Sequence, residues 1–499
     1  MNAKRLYLAV AACAVLVHLG ALWNGFAMDD LYIIVWNPLV HSADGVWRAF
    51  VAPYWPPDLG GKLYRPLAIA SYTLDGLVGD APWFHAINLL WHAGAAVAVT
   101  ALARRWAGAT TALVAGLIFA VHPVHVEAIA NVIGRAELMA ALGVCLAVYA
   151  AIIKDSVGWS TLALAVGLLS KENAAVAPVL IAWAWVLGFG RPPRHRMMAF
   201  VGGWLAIAAV YVALRGWVLN PYLRLHDVAP VFVGQSPVAI RLTAIATLAD
   251  IVRLLVFPLT LRVDYSPAER TIVTSLLDVD GRFLLGLAAL ALWALLLVAA
   301  WRHGRKIEAF GLGWIAIALL PVSNLLMPVG ILLAERTLYL PSVGLALAAG
   351  AALARLPTPR LRVLAAILVL AGGIRSALRV PVWHDDVAVT LSILEDSPNS
   401  YRGPARMGAL YQGRGDAERA LETFAVATRA FDRDAAVYVA SADAAFTLGR
   451  PALADSLLTR AEQICFRCSG LYRRQALAAR ARGDSAVADS LLKRVPPSP

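Results

Sequence analysis

The chain has 499 residues, 60% of them hydrophobic and 15% charged, and its mean hydropathy is +0.67. That balance excludes an ordinary soluble domain and points to a protein that crosses a membrane several times. The formal net charge of +12 lies largely in short loops such as Arg191-Pro192-Pro193-Arg194-His195-Arg196, where it suits topology signalling and anionic lipid, not nucleic acid.

The first apolar run, 6–23, follows Lys4 and Arg5, which place the N-terminus in the cytoplasm. No clear small-residue cleavage site follows, so the run reads as an uncleaved anchor. A long outer loop, 24–82, comes next and opens on the adjacent acids Asp29 and Asp30. Two carboxylates at a membrane face repel each other and are costly to desolvate, so they call for a function. Trp47, Trp55, Tyr64 and Arg65-Pro66 in the same loop predict an ordered structure lying on the membrane, with short helices at 47–55 and 66–78.

Further apolar runs at 83–103, 108–121, 136–153, 159–169, 174–189, 198–218, 283–300, 309–328, 338–354 and 361–378 bring the expected crossings to about eleven. Arg104, Arg105, Lys154 and the 191–196 cluster then fall inside in alternation, and the 122–135 turn and Lys171-Glu172 fall outside. The stretch 238–257 carries Arg241, Asp250 and Arg253 and is expected not to cross. The C-terminus is then outside.

After about residue 380 the long apolar runs stop and a period appears. Gly415, Gly449 and Gly483 are 34 residues apart, as are Ala420, Ala454 and Ala488. Phe424, Leu458 and Leu492 repeat in the same way, and so do Gly408, Ala442 and Ala476. A helix-turn-helix period of this length with small residues at the crossings is a TPR pattern, giving about three repeats over 381–499 behind a membrane domain at 1–380. Cys13 and Cys145 read as inert core residues. Cys465 and Cys468 form a lone pair, expected to be a structural clip or two free thiols.

The ionisable groups gather on the outer side. His85, Asn88 and His92 share one helical face, and His85, nearest the outer end, is a candidate to line a site. His122, His125 and Glu127 form a weak metal-ligand pattern, and a divalent metal is not favoured. Arg135 either pairs with Glu137 or holds a phosphate. Lys171-Glu172 and Glu335-Arg336, the latter followed by Tyr339, each read as a structural ion pair or as part of a polar cavity. Asp264 is expected on the same face. Three cation–acid clusters on one side of a chain poor in charge favour a cavity for a phosphate head group and a sugar.

Met28-Asp29-Asp30 with Asn37-Pro38, Tyr64-Arg65-Pro66-Leu67, Phe84-His85-x-x-Asn88-x-x-x-His92 and the run HPVHVEAIANVIGRAEL at 122–138 recur in a known order. Leu169-Ser170-Lys171-Glu172 and Ala334-Glu335-Arg336-x-Leu338-Tyr339-Leu340-Pro341-Ser342 continue it. In this series the chain resembles the transmembrane and TPR-repeat-containing protein O-mannosyltransferases of the GT-C superfamily. The resemblance implies transfer of mannose from a polyprenyl-phosphate carrier in the membrane to Ser/Thr hydroxyls of a protein on the outer face, with inversion. It implies that Asp29 or Asp30 is the general base, with the lean toward Asp29, and that Arg65, Arg135, Lys171 and Arg336 steady the departing phosphate. The TPR segment would hold the acceptor or a partner protein. It is shorter than the long array usual in that family. The Ala- and Arg-rich composition suggests a bacterium, where the carrier is undecaprenyl phosphate in the inner membrane and the outer side is the periplasm. The alternatives are a GT-C enzyme acting on a lipid or envelope polymer, and a membrane-anchored TPR scaffold without catalysis.

Overall fold

The structure is a computed structural model that describes residues 2–57, 61–220, 228–265, 267–277, 280–464, 472–473, 475–476, 479–480 and 483–495. Cys465 and Cys468 lie outside the described residues. All regular structure among the described residues is helical.

A helix occupies each of the apolar runs read from the sequence: Ala3–Val17, Ala81–Val121, Arg135–Ile152, Val157–Ser170, Ala177–Val186, Arg194–Leu219, Arg282–Arg302, Lys306–Leu319, Tyr339–Leu353 and Thr358–Arg379. Two runs, 83–103 and 108–121, merge in Ala81–Val121, which breaks at Gly108 with φ 80° and ψ −175°. The chain folds back there. His92 bonds the Ala120 carbonyl at 3.1 Å, and a Cβ on Gly116 would strike the Thr100 hydroxyl. Only glycine adopts that backbone conformation readily, so one residue makes the hairpin. The run 309–328 ends early, at Leu319 and a short 3-10 turn, because Pro321 removes a backbone donor from the helix.

Among the described residues six helices are long and apolar enough to cross a membrane, and the chain is a multi-pass membrane protein. They divide by burial. Val132–Ile152 is 78% buried along its most apolar stretch, whereas Arg194–Leu219, Arg282–Arg302 and Thr358–Trp383 are 17% buried there. The first is a central helix. The other three turn leucines and valines outward, as lipid-facing helices do. Small residues let helices close up without a hydrophobic drive: a Cβ on Gly311 would lie 2.3 Å from the Gly344 carbonyl oxygen of the Tyr339–Leu353 helix. Pro237–Val256 forms the helix expected at 238–257 and is not among the six.

The first loop is ordered. Gly45–Arg48 and a 3-10 turn at Ala49–Val51 are followed by the helix Pro66–Gly76, which buries Ile69 and Tyr72. Trp23, Trp36 and Trp47 stay exposed, as indole rings do at the head-group level.

Beyond Trp383 come Asp386–Asp396 and then helix pairs: Arg402–Gly413 with Ala417–Ala430, and Ala435–Thr447 with Pro451–Ile464. Ser485–Lys493 occupies the second-helix place of a third pair. The 34-residue spacing has a physical cause in the turns. Gly415, Gly449 and Gly483 adopt φ values of 81°, 67° and 85°, the same left-handed turn each time. A Cβ on Gly408 would lie 2.6 Å from the Phe424 ring, so the smallest residue is needed where the first pair crosses. Ala420, Ala454 and Ala488 are all buried.

Candidate functional site

The two adjacent acids of the first loop part company. Asp30 turns inward and is 1% exposed. Its carboxylate accepts backbone N–H bonds from Ala27 (3.2 Å), Val132 (3.3 Å) and Ile133 (2.9 Å). It ties the first loop to the start of the 132–152 helix. Burial pushes its pKa up to about 7, against the pull of those three donors. Asp29 is half-buried and accepts no hydrogen bond from a described group. Its charge is felt by Arg336, Asp30 and Tyr54. Of the two neighbours, one is spent on structure and one is open.

Three ion pairs lie near one another, and the cation of one of them, Arg336, feels the Asp29 charge. Arg65, in the first loop just before the helix Pro66–Gly76, grips Glu172 with two parallel bonds, Nε to Oε2 at 3.0 Å and Nη2 to Oε1 at 2.6 Å. Its guanidinium lies 5.1 Å over the Tyr54 ring. Lys171 binds Glu137, whose second oxygen accepts from Asn173 at 2.9 Å. Arg336 binds Glu127 through Nη1, and its backbone N–H donates to the same carboxylate at 2.8 Å. These pairs act on one another: Glu137 acts on both Arg65 and Arg336, and Arg65 acts on Lys171. Residues near the ends of several different helices therefore bring their charges together.

Exposure separates the working groups from the framework. The side chains of Arg336 and Glu172 are 26% and 34% exposed, while Arg65 and Lys171 show 12% and 11%. Glu127 and Glu137 are almost wholly enclosed. The enclosed acids hold cations that keep part of their surface exposed. Guanidinium groups keep spare donors when one edge is paired, so a phosphate can share them.

Several residues singled out in the sequence belong elsewhere. Arg135 is fully buried and pairs with Asp75 at 2.5 Å, not with Glu137. It also donates to Asn88 Oδ1 at 2.7 Å, the Phe84 carbonyl at 2.9 Å and Ser71 Oγ at 3.3 Å, which leaves nothing for a phosphate. Residues two apart on a helix point in different directions, which is why Arg135 and Glu137 find separate partners. His85 is buried under the first loop, with Nε2 3.1 Å from the Gly25 carbonyl oxygen, and does not line a cavity. Tyr339 is buried against His92, 2.8 Å away. His122 meets the Leu255 carbonyl and His125 meets Ser342, while Glu127 serves Arg336, so these three do not converge. Among the described residues no three His, Cys, Asp or Glu side chains are grouped to hold a metal. Glu335 is enclosed, accepting from Tyr265 at 2.9 Å and from the Arg262 backbone. Asp264 faces the C-terminal helices, accepting from Ser400 at 2.6 Å and Arg402 at 3.3 Å.

Tyr54, under Arg65, and Asn173, on Glu137, take part in the site, and Asp75 takes part in the Arg135 framework, without having been anticipated. Asp75 is an acid on the buried face of the 66–76 helix, and that placement was its signal. Tyr54 carried none.

Thirteen curated proteins are similar to this chain. Protein O-mannosyl-transferase TMTC3 of Mus musculus is 25% identical over 469 residues, covering 84% of this chain and 50% of the relative. Protein O-mannosyl-transferase TMTC4 of Homo sapiens is 26% identical over 493 residues, covering 84% and 65%. Protein O-mannosyl-transferase Tmtc2 of Drosophila melanogaster reaches 34% over 191 residues, covering 34% and 20%. The chain is similar to the TMTC O-mannosyl-transferases over most of its own length. It spans about half the length of the first of these relatives. No family model matches, and no solved structure does.

Proposed function

We propose that this chain is a TMTC-type inverting glycosyltransferase that moves mannose from polyprenyl-phosphate-mannose to Ser/Thr hydroxyls of a protein. The observation that carries the reading is the open Asp29 carboxylate, whose charge Arg336 feels, with the pairs of Arg65 and Lys171 coupled to the same cluster. Asp29 takes the proton of the acceptor hydroxyl. The oxygen attacks the anomeric carbon, the carbon–oxygen bond to phosphate breaks on the opposite face, and polyprenyl phosphate leaves. A hydroxyl is a poor nucleophile at neutral pH, so a positioned base is worth about 10²–10⁴-fold. The cations meet the charge that develops on the leaving phosphate, where it costs most without them. Asp30 holds the loop and takes no proton from substrate.

About eleven crossings with a cytoplasmic N-terminus put this cluster and the C-terminal helices on the outer side. The helix pairs act as TPR repeats and hold the protein acceptor. In a bacterial host the carrier is undecaprenyl phosphate and the membrane is the inner one. The names of the relatives support the sugar and the protein acceptor.

Purified protein supplied with polyprenyl-phosphate-mannose and a Ser/Thr peptide tests this. Asp29→Asn should lower kcat by about 10²–10⁴-fold with normal folding. Undiminished transfer by that variant refutes the base assignment. Absence of transfer by the unaltered protein with any lipid-linked sugar refutes the activity.

A further inference from the structure

The segment that carries Asp29 is held from two sides. From the membrane domain, Asp30 binds the 132–133 backbone and His85 meets the Gly25 carbonyl. From the other side comes the chain that links the membrane domain to the helix pairs. Asn24 donates to the Val380 carbonyl at 3.1 Å, and Gly25 N–H donates to the His384 carbonyl at 2.7 Å. A Cβ on Gly25 would lie 3.3 Å from that same oxygen. Finally, Met28 N–H donates to Asp386 Oδ1 at 2.9 Å.

Met28 sits at φ 55°. A residue with a Cβ reaches the left-handed region at a cost, and stays there only when its surroundings dictate it. The residue that follows is Asp29, so the Met28 backbone sets the direction in which that carboxylate leaves the loop. The charge holding Met28 is not isolated. Asp386 begins the helix Asp386–Asp396 and is ion-paired to Arg406 on the helix Arg402–Gly413, the first of the paired helices. Both partners are partly exposed, at 24% and 29%, so events on the first repeat can reach them.

We propose that Asp386 and Arg406 form a positioning relay through which the first helix pair holds the Met28 backbone, and with it the Asp29 carboxylate, in its working orientation. The inference rests on Asp29 being the base. The relay gives acceptor binding on the helix pairs a direct mechanical route to that base. Neither residue touches substrate.

The test uses the purified full chain and two readouts. Hydrogen exchange reports the 25–31 backbone without any reference to activity. In Asp386→Ala, exchange there should quicken about tenfold or more, since a bond to a charged acceptor is lost. Asp386→Asn keeps an oxygen for Met28 N–H and should remain close to the unaltered protein. In the transfer assay, Asp386→Ala should lower kcat about 10²-fold, the scale of a small misplacement of a catalytic group, with the KM for the lipid donor unchanged. Asp386→Asn should restore most of that loss. Arg406→Ala should fall between the two. Unchanged exchange in Asp386→Ala overturns the relay. Faster exchange with an unaltered kcat overturns it as well, and a matching rise in donor KM marks a general collapse of the site and also overturns it. If the unaltered protein transfers no sugar, the proposed activity has failed, and exchange in the three variants still decides whether the clamp exists.

Discussion

Arg135 gives the sharpest test of how the charges are shared. Its guanidinium has no exposure to solvent and bonds Asp75, Asn88, Ser71 and the Phe84 carbonyl. Among the described residues, Asp75→Ala removes the one carboxylate that pairs with Arg135 and strands a buried cation. Breaking one side of a buried ion pair costs about 3–5 kcal/mol. Replacing both partners with apolar residues costs much less, because no charge is left unpaired. In Arg135→Met with Asp75→Leu, the acceptors on Asn88 and Phe84 still lose a donor, which keeps a residual loss of about 1–3 kcal/mol. The expected order of stability is therefore unaltered protein, double variant, Asp75→Ala. Reversible unfolding of the purified protein in mixed detergent micelles, followed by tryptophan fluorescence, reads these differences. A loss below about 1 kcal/mol for Asp75→Ala would refute the buried pair, since that is what an exposed pair contributes. So would a double variant no more stable than the single one.

Two more outcomes follow from the same geometry. Burial raises Asp30 to about 7 in the folded chain, against about 3.9 in an unfolded one. The folded state therefore binds the proton more tightly, so this contribution to stability is present at low pH and is lost as the pH rises through about 7. The thermal midpoint should fall between about pH 5 and pH 8, and Asp30→Asn should flatten that slope; equal slopes in both proteins would count against it. Gly108→Ala meets no neighbouring atom, so any loss comes from the backbone alone. With φ 80° and ψ −175°, it should cost about 1–3 kcal/mol in the same unfolding measurement. Unchanged stability there would mean that the hairpin is not built on that residue.

Much of the fold was legible, and for local reasons. Hydropathy located the helices because apolar length is a property of neighbours in sequence. The 34-residue spacing was visible because Gly415, Gly449 and Gly483 each make the same left-handed turn. The broken run at 309–328 was misjudged at its end, since hydropathy counts Leu and Pro321 alike while a helix does not. At the site, the sequence put Arg65, Lys171, Glu172 and Arg336 on one face, and these do meet. It could not say that Arg135 is enclosed or that His85 lies beneath the loop, because both depend on what packs above them.

By itself, then, the sequence determined a multi-pass helical protein, the places of its helices, a periodic C-terminal segment and a concentration of charge on one side. Tertiary structure alone decided the pairings. Arg65 meets Glu172 across 107 positions, Arg336 meets Glu127 across 209, and Met28 meets Asp386 across 358. Charges in a low-dielectric setting must find partners, but nothing in linear order says which ones. That choice made Asp30 a brace, left Asp29 open, and tied the open acid to helices that begin more than three hundred residues later.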